Sequence, residues 1–313
     1  MRQRAARQRP RFSAHGAFTS LLAAILMSTF AAGPRAAQAE SQDTERFGMR
    51  IEEALRVLAG EPSLAQMAAP QRREFLEFVV GNILFVAAHE LGHGVLAELN
   101  LPNLGREEDA ADAFAILTAL ELRTQFSDRI LLEGARGFYL AEMRRRRVGR
   151  PNAYYGRHGL NLQRAYQIVC FMVGSDPVRF GELAAMAKMP EHRQKSCGHD
   201  FALAAWSWET LLEPHGRTPA QPKQHVDVIY GDGEGGLGVL ERVFREVRFL
   251  ETLAEYATDR FAWPRPFTME MQTCGQVGAS WRARRLKICY EMVHWFAELY
   301  HGYAHYSSFS RRR

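Results

Sequence analysis

Residues 83–96 are almost wholly apolar and contain no proline, yet His89, Glu90 and His93 stand in their middle. A stretch of this composition reads as a helix, and a helix that is apolar round most of its circumference is a buried one. Two imidazoles and a carboxylate carried into the interior need partners there, because burying them unpaired is costly. No other feature of the chain constrains the fold as tightly. Positions four apart lie on one helix face about a turn apart, so His89 and His93 can grip a single ion with Glu90 beside it. The plain alternative is a core helix whose two histidines satisfy each other or nearby carbonyls.

An ion of zinc held by two histidines needs a third protein ligand if a fourth position is to stay open for water. The helix can run on to about Leu99, residues 100–105 read as a turn with Pro102 and Gly105, and Arg106 opens an Ala-rich second helix. So short a connection lays the two helices side by side. Glu107, Glu108, Asp109 and Asp112 all fall in the first two turns of the second helix. Glu108 and Asp112 share a face, which suits Glu108 on the metal and Asp112 accepting a hydrogen bond from a ligating histidine. An acidic first turn also complements the helix dipole, and the choice among the four acids stays open. Ala110, Ala111, Ala113 and Ala115 would allow close approach. With one Zn2+ so held, Glu90 is the expected general base toward a metal-activated water. His158, Tyr154, Tyr155 and Tyr166 are candidates for stabilising an oxyanion, against the bland reading that they are surface residues.

Glu108 followed by Asp112, downstream of the His-Glu-x-x-His pattern, resembles the third-ligand helix of the gluzincin metallopeptidases. More closely, His89 to His93 with Leu101-Pro102 and the run from Gly105 to Asp112 is similar to a bacterial family of predicted metallopeptidases labelled as a domain of unknown function. Arg164, Cys170, Gly174-Ser175-Asp176-Pro177, Cys274-Gly275 and Cys289-Tyr290-Glu291 resemble its later landmarks, so the likeness covers most of the chain after about residue 70. Where that family carries Asp on either side of its middle histidine, this chain has Gly156 and Asn161 flanking His158. The resemblance implies a peptide or protein substrate, without naming one. The alternative function is a zinc-holding but catalytically silent envelope protein that acts by binding a partner.

Arg2, Arg4, Arg7, Arg9 and Arg11 precede an apolar stretch at 17–32, and Ala37-Gln38-Ala39 fits a small-x-small cleavage site. Residues 1–39 therefore read as a signal peptide and 40–313 as a single exported domain, periplasmic or secreted. No second segment reads as a membrane span. The chain is +5 overall, but residues 1–39 hold six arginines and no acid, which leaves the remainder at −1 and gives no reason to expect a nucleic-acid partner. Arg144 to Arg147 with Arg150 form a local basic run, read as a solvated helix end. Four cysteines in an oxidising compartment favour two disulfides. Of three connectivities the pairing by nearness in sequence is Cys170 with Cys197 and Cys274 with Cys289, free buried thiols being the alternative.

The fold expected is α+β, predominantly helical, zincin-like, with few strands. Helical spacing runs through 75–99, 114–126, 160–173, 201–212, 237–253 and 286–300, while 128–160 and 213–236 read as loops, as do His192-Arg193 and residues 216–222. Phe267, Met269 and Met271 alternate with polar residues, and so do Val226, Val228 and Tyr230, predicting two strands that pair around the helix at 237. One of them could hold a substrate backbone beside the metal, as strand edges do in zincins, or both could form a structural patch remote from it.

Overall fold

The computed structural model describes residues 67–234 and 237–303. The expected leader and its cleavage site lie outside them. Among the described residues the chain forms nine α-helices and one four-stranded sheet, a predominantly helical α+β fold. Helix α1 (Ala69–Glu98) is followed by α2 (Glu107–Leu122), α3 (Gln125–Arg147), α4 (Asn161–Ser175), α5 (Pro177–Met186) and α6 (Glu191–Leu212). Then come β1 (Val226–Tyr230), α7 (Gly238–Glu246), α8 (Phe249–Arg260), β2 (Phe267–Gln272), β3 (Ala279–Arg282), β4 (Arg285–Cys289) and α9 (Tyr290–Tyr303).

Helix α1 is the axis of the fold. It packs against α2, α3 and α9 and against β3 and β4, and Phe78, Ile83, Ala87 and Val95 are fully buried along it. By length and composition α1 could cross a membrane, contrary to the expectation of no such segment, but 83% of its apolar window is buried inside the fold. The α1–α2 approach is as close as the alanines of α2 suggest: a Cβ added at Gly92 would fall 3.2 Å from the Ala111 Cα. Asn82 braces α1 to α3, donating to the carbonyls of Phe78 and Glu133. It fits because Gly137 faces it; a Cβ there would sit 1.8 Å from Asn82 Oδ1.

Strand order is β1-β2-β4-β3, with β1 parallel to β2, β2 parallel to β4, and β3 antiparallel to β4. The expected pair, β1 and β2, does form, around α7 and α8 as the crossover. Inward-facing Val226, Val228, Phe267, Met269, Met271, Leu286 and Ile288 pack under α1, α8 and α9, and the alternate residues face outward.

Several boundaries differ from the sequence reading. Residues 128–147, expected as loop, belong to α3, leaving only 148–160 irregular. Its start is specified by Thr124 and Ser127 in a reciprocal capping box, after Arg123 turns the chain through a left-handed conformation (φ 51°) that ends α2 before Phe126. The 237–253 helix is broken likewise at Arg248 (φ 54°) into α7 and α8. His192 and Arg193 lie in the first turn of α6, not in a loop. The helix expected from 286 starts at Tyr290, because 285–289 pair with both β2 and β3. The basic run does end a helix: Arg145 and Arg146 pair with the buried Glu142.

Both disulfides join the cysteines nearest in sequence, Cys170–Cys197 tying α4 to α6 and Cys274–Cys289 tying the loop after β2 to the end of β4. Two such bonds fit an oxidising, extracytoplasmic setting.

Candidate metal centre

The inner ends of α1 and α2 bring three donors together. His89 Nε2 and His93 Nε2 are 3.2 Å apart, and Glu108 Oε2 is 3.3 Å from each. Donors about 2.0–2.1 Å from a tetrahedral zinc ion are separated by about 3.3–3.4 Å, so the triangle is one face of such a tetrahedron. No other side chain of the acidic turn does this. The neighbouring acids have been given separate partners by the helical geometry. Asp112 accepts from His89 Nδ1 at 2.8 Å, Glu107 from His93 Nδ1 at 2.6 Å, and Asp109 pairs with Arg106. Each histidine thus has a carboxylate behind its ring, which fixes the tautomer that leaves Nε2 free for a cation.

Asp112 is itself held. Arg164 of α4 binds it through two nitrogens, at 2.6 and 2.7 Å, while its guanidinium lies 4.0 Å from the centre of the Phe138 ring. His89, Glu108 and Asp112 are all buried. Burial opposes charge on His89, but hydrogen bonds to Asp112 and Glu108 outweigh it and raise the imidazole to about 9 in the metal-free chain. The same His89 bond holds Glu108 down at about 2 against its own burial, helped by His158 and His93. Asp112 also stays low despite burial, through His89 and Arg164.

Glu90, one position round the helix from His89, reaches toward β3. Its Oε2 accepts the main-chain N–H of Trp281 in β3 at 2.9 Å. Burial pushes its carboxyl up, with the two histidines pulling the other way. The Trp281 ring packs on Gly94, where a Cβ would fall 2.7 Å from ring atoms, and stacks near Trp263 and Phe267. The strand beside the centre is therefore β3, which sequence reading did not find; β1 and β2 are farther along the sheet.

The 148–160 loop contributes His158, whose Nε2 lies 2.8 Å from Glu108 Oε2 and whose ring stacks 6.0 Å from that of His89. Burial, then Arg164, lowers its pKa. Arg157 reaches within 3.5 Å of Glu108 Oε1. Of the tyrosines weighed alongside His158, none joins the centre by any contact: Tyr154 and Tyr155 are exposed, and the Tyr166 hydroxyl donates to the Ala187 carbonyl.

Four functional contacts escaped the sequence. Glu107 and Arg164 were visible as residues but not as partners, since only packing decides which ring nitrogen or carboxylate each one meets. Arg157 sits in a polar turn like any other, and Trp281 lies in a strand too short to announce itself. Cys274 and Cys289 also lie near Glu291, but their sulfurs are joined to each other and leave no thiolate for a metal.

No curated protein and no solved structure matches the chain. Residues 56–212, which span α1 to α6 and carry every residue of this centre except Trp281, match the protein family described as "Putative metallopeptidase", and the chain belongs to that family.

Proposed function

We propose that the chain is an exported zinc-dependent metallopeptidase that holds one Zn2+ through His89, His93 and Glu108. The observation that carries this is the triangle of three donors spaced as a zinc ligand set, with a buried carboxylate next to it that is not part of the set. The two disulfides support export, periplasmic or secreted.

When bound, zinc supplies Lewis acidity, bringing the acidity of water toward neutral pH and polarising a peptide carbonyl. The chain's own groups do the rest. Glu90 takes the proton of the attacking water and returns it to the leaving amine nitrogen. Because Trp281 N–H occupies Oε2, Oε1 is the atom that carries the proton. His158, next to Glu108 on the exposed side, donates from its ring to the developing oxyanion. Apart from the Trp281 N–H, which Glu90 holds, the edge of β3 offers main-chain groups to an extended peptide, as in β-augmentation.

Metal analysis and hydrolysis of a mixed peptide library, on the unaltered protein and on Glu90→Gln, test this reading. Zinc in both and turnover only in the unaltered protein is expected. Zinc in both with turnover in neither would instead favour a silent metal-holding protein, and zinc in neither would remove the metal centre.

A further inference from the structure

Resting on the peptidase reading, we propose that the β3–β4 hairpin selects substrates with acidic side chains, Arg282 being the residue that reads them. Strand β3 is the edge of the sheet, and its main-chain groups alternate sides. The Gly278 carbonyl turns toward β4, where it accepts from Cys289 N–H, so Ala279 and Trp281 turn their groups away from β4, as the Trp281 N–H to Glu90 shows. A peptide added along this edge places every second side chain on the sheet's outer face, level with Ser280 and Arg282.

Charge on that face is incomplete. Reading across the strands, Glu270 of β2 is buried and paired with Arg285 and Lys287 of β4. Arg282 lies directly opposite Arg285, a like-charge pair of the kind that weakens a sheet unless another group offsets it. The side chains of Arg282 and Arg284 are exposed and make no hydrogen bond or ion pair among the described residues. A depression of about 640 Å³ opens on this face, lined by Ser280, Arg282, Arg285 and Lys287. The turn between the strands, Ala283-Arg284, has both residues at positive φ (51° and 60°), a conformation that Asn-Gly adopts with less strain. The row that Arg282 shares is Thr268, Arg285, Arg282, with no acid in it, and an acid on the incoming strand supplies one.

The test uses zinc-loaded protein and two fluorescent peptides that differ only in Glu or Gln at alternate positions, followed by anisotropy and by cleavage. The Glu peptide should bind at least about tenfold more tightly, with the difference shrinking at high salt. Arg282→Gln should abolish the preference and Arg282→Glu should shift it to a Lys peptide, with zinc content equal throughout. Cleavage of both peptides alike by every variant would overturn the proposal and leave the peptidase reading standing. Arg282-dependent capture of the Glu peptide without cleavage would uphold the acid-reading surface and count against the peptidase. Arg282-dependent binding to vesicles of anionic lipid, with no discrimination between the peptides, would overturn it in favour of a membrane.

Discussion

Asp112 serves two partners at once, and replacing it with Asn separates their contributions. Three donors converge on its carboxylate: His89 Nδ1 at 2.8 Å and the two Arg164 nitrogens at 2.6 and 2.7 Å. An amide has only one acceptor atom. If its oxygen stays on His89, its NH2 faces Arg164; if it flips, its NH2 faces His89 Nδ1 and favours the tautomer with the proton on Nε2, where the metal must bind. Loss of such a partner typically costs about 10–100-fold in metal affinity, about 1.4–2.8 kcal/mol. The metal-free protein should lose more, about 3 kcal/mol, the low end for breaking a buried ion pair, because the Arg164 guanidinium, 13% exposed, is left without its counter-charge. Arg164→Met provides the control: it removes the cation, keeps the His89–Asp112 bond, and should retain more zinc affinity than Asp112→Asn. Competition with a chromogenic chelator measures the first quantity and denaturant titration of the chelator-treated protein the second. Asp112→Asn holding zinc as tightly as the unaltered protein, or Arg164→Met losing as much, would refute the assignment of Asp112 to His89.

Three further expectations concern other parts of the fold. Gly94→Ala would drive a methyl into the Trp281 ring and part β3 from α1, removing a hydrogen bond to Glu90 worth about 1.5–3 kcal/mol; peptide hydrolysis should fall about 10- to 100-fold with bound zinc unchanged, and simultaneous loss of zinc would show that the hairpin supports the whole centre. By the loop-entropy relation, reducing Cys170–Cys197 (separation 27) should cost about 3.5 kcal/mol and Cys274–Cys289 (separation 15) about 3 kcal/mol, read as a fall in the denaturation midpoint; an unchanged midpoint under reductant would count against both bonds. In the metal-free protein, His89 raised from 6.5 to about 9 contributes stability that is complete below pH 6.5 and lost as pH rises through 9, whereas Glu108 lowered from 4.5 to about 2 contributes above pH 4.5 and is lost as pH falls through 2. Stability of the chelated protein should therefore decline from pH 6 to pH 9.5 in a manner that His89→Gln reduces, and zinc uptake at pH 7 should release a proton; uptake without proton release in buffers of differing ionisation enthalpy would contradict it.

How far the centre could be read before folding depended on distance along the chain. His89, Glu90, His93, Glu108 and Asp112 lie on two consecutive helices joined by a short turn, so helical periodicity and loop length together place them, and the structure keeps that placement. Disulfide pairing by sequence proximity succeeded for the same reason, each pair closing a short loop. The strand pair 226–230 and 267–272 was legible from alternation. The β3–β4 hairpin was not: four residues of mixed polarity carry little periodic signal, and the apolar Leu286 and Ile288 fit a helix as well as a strand. The helix at 125–147 was hidden by its polar composition, its start being specified by one capping box.

The sequence by itself determined that a buried helix carries two imidazoles and a carboxylate, that an acidic helix follows at once, and that the fold is mainly helical. Those are local matters of period, capping and solvation. Only the tertiary structure decided which carboxylate meets which ring nitrogen, that Arg164 anchors Asp112, and that an edge strand arriving 191 residues later takes hold of Glu90. Hydrogen bonds have a reach of about 3 Å, and which groups come within it is settled by how helices and strands pack, not by spacing along the chain.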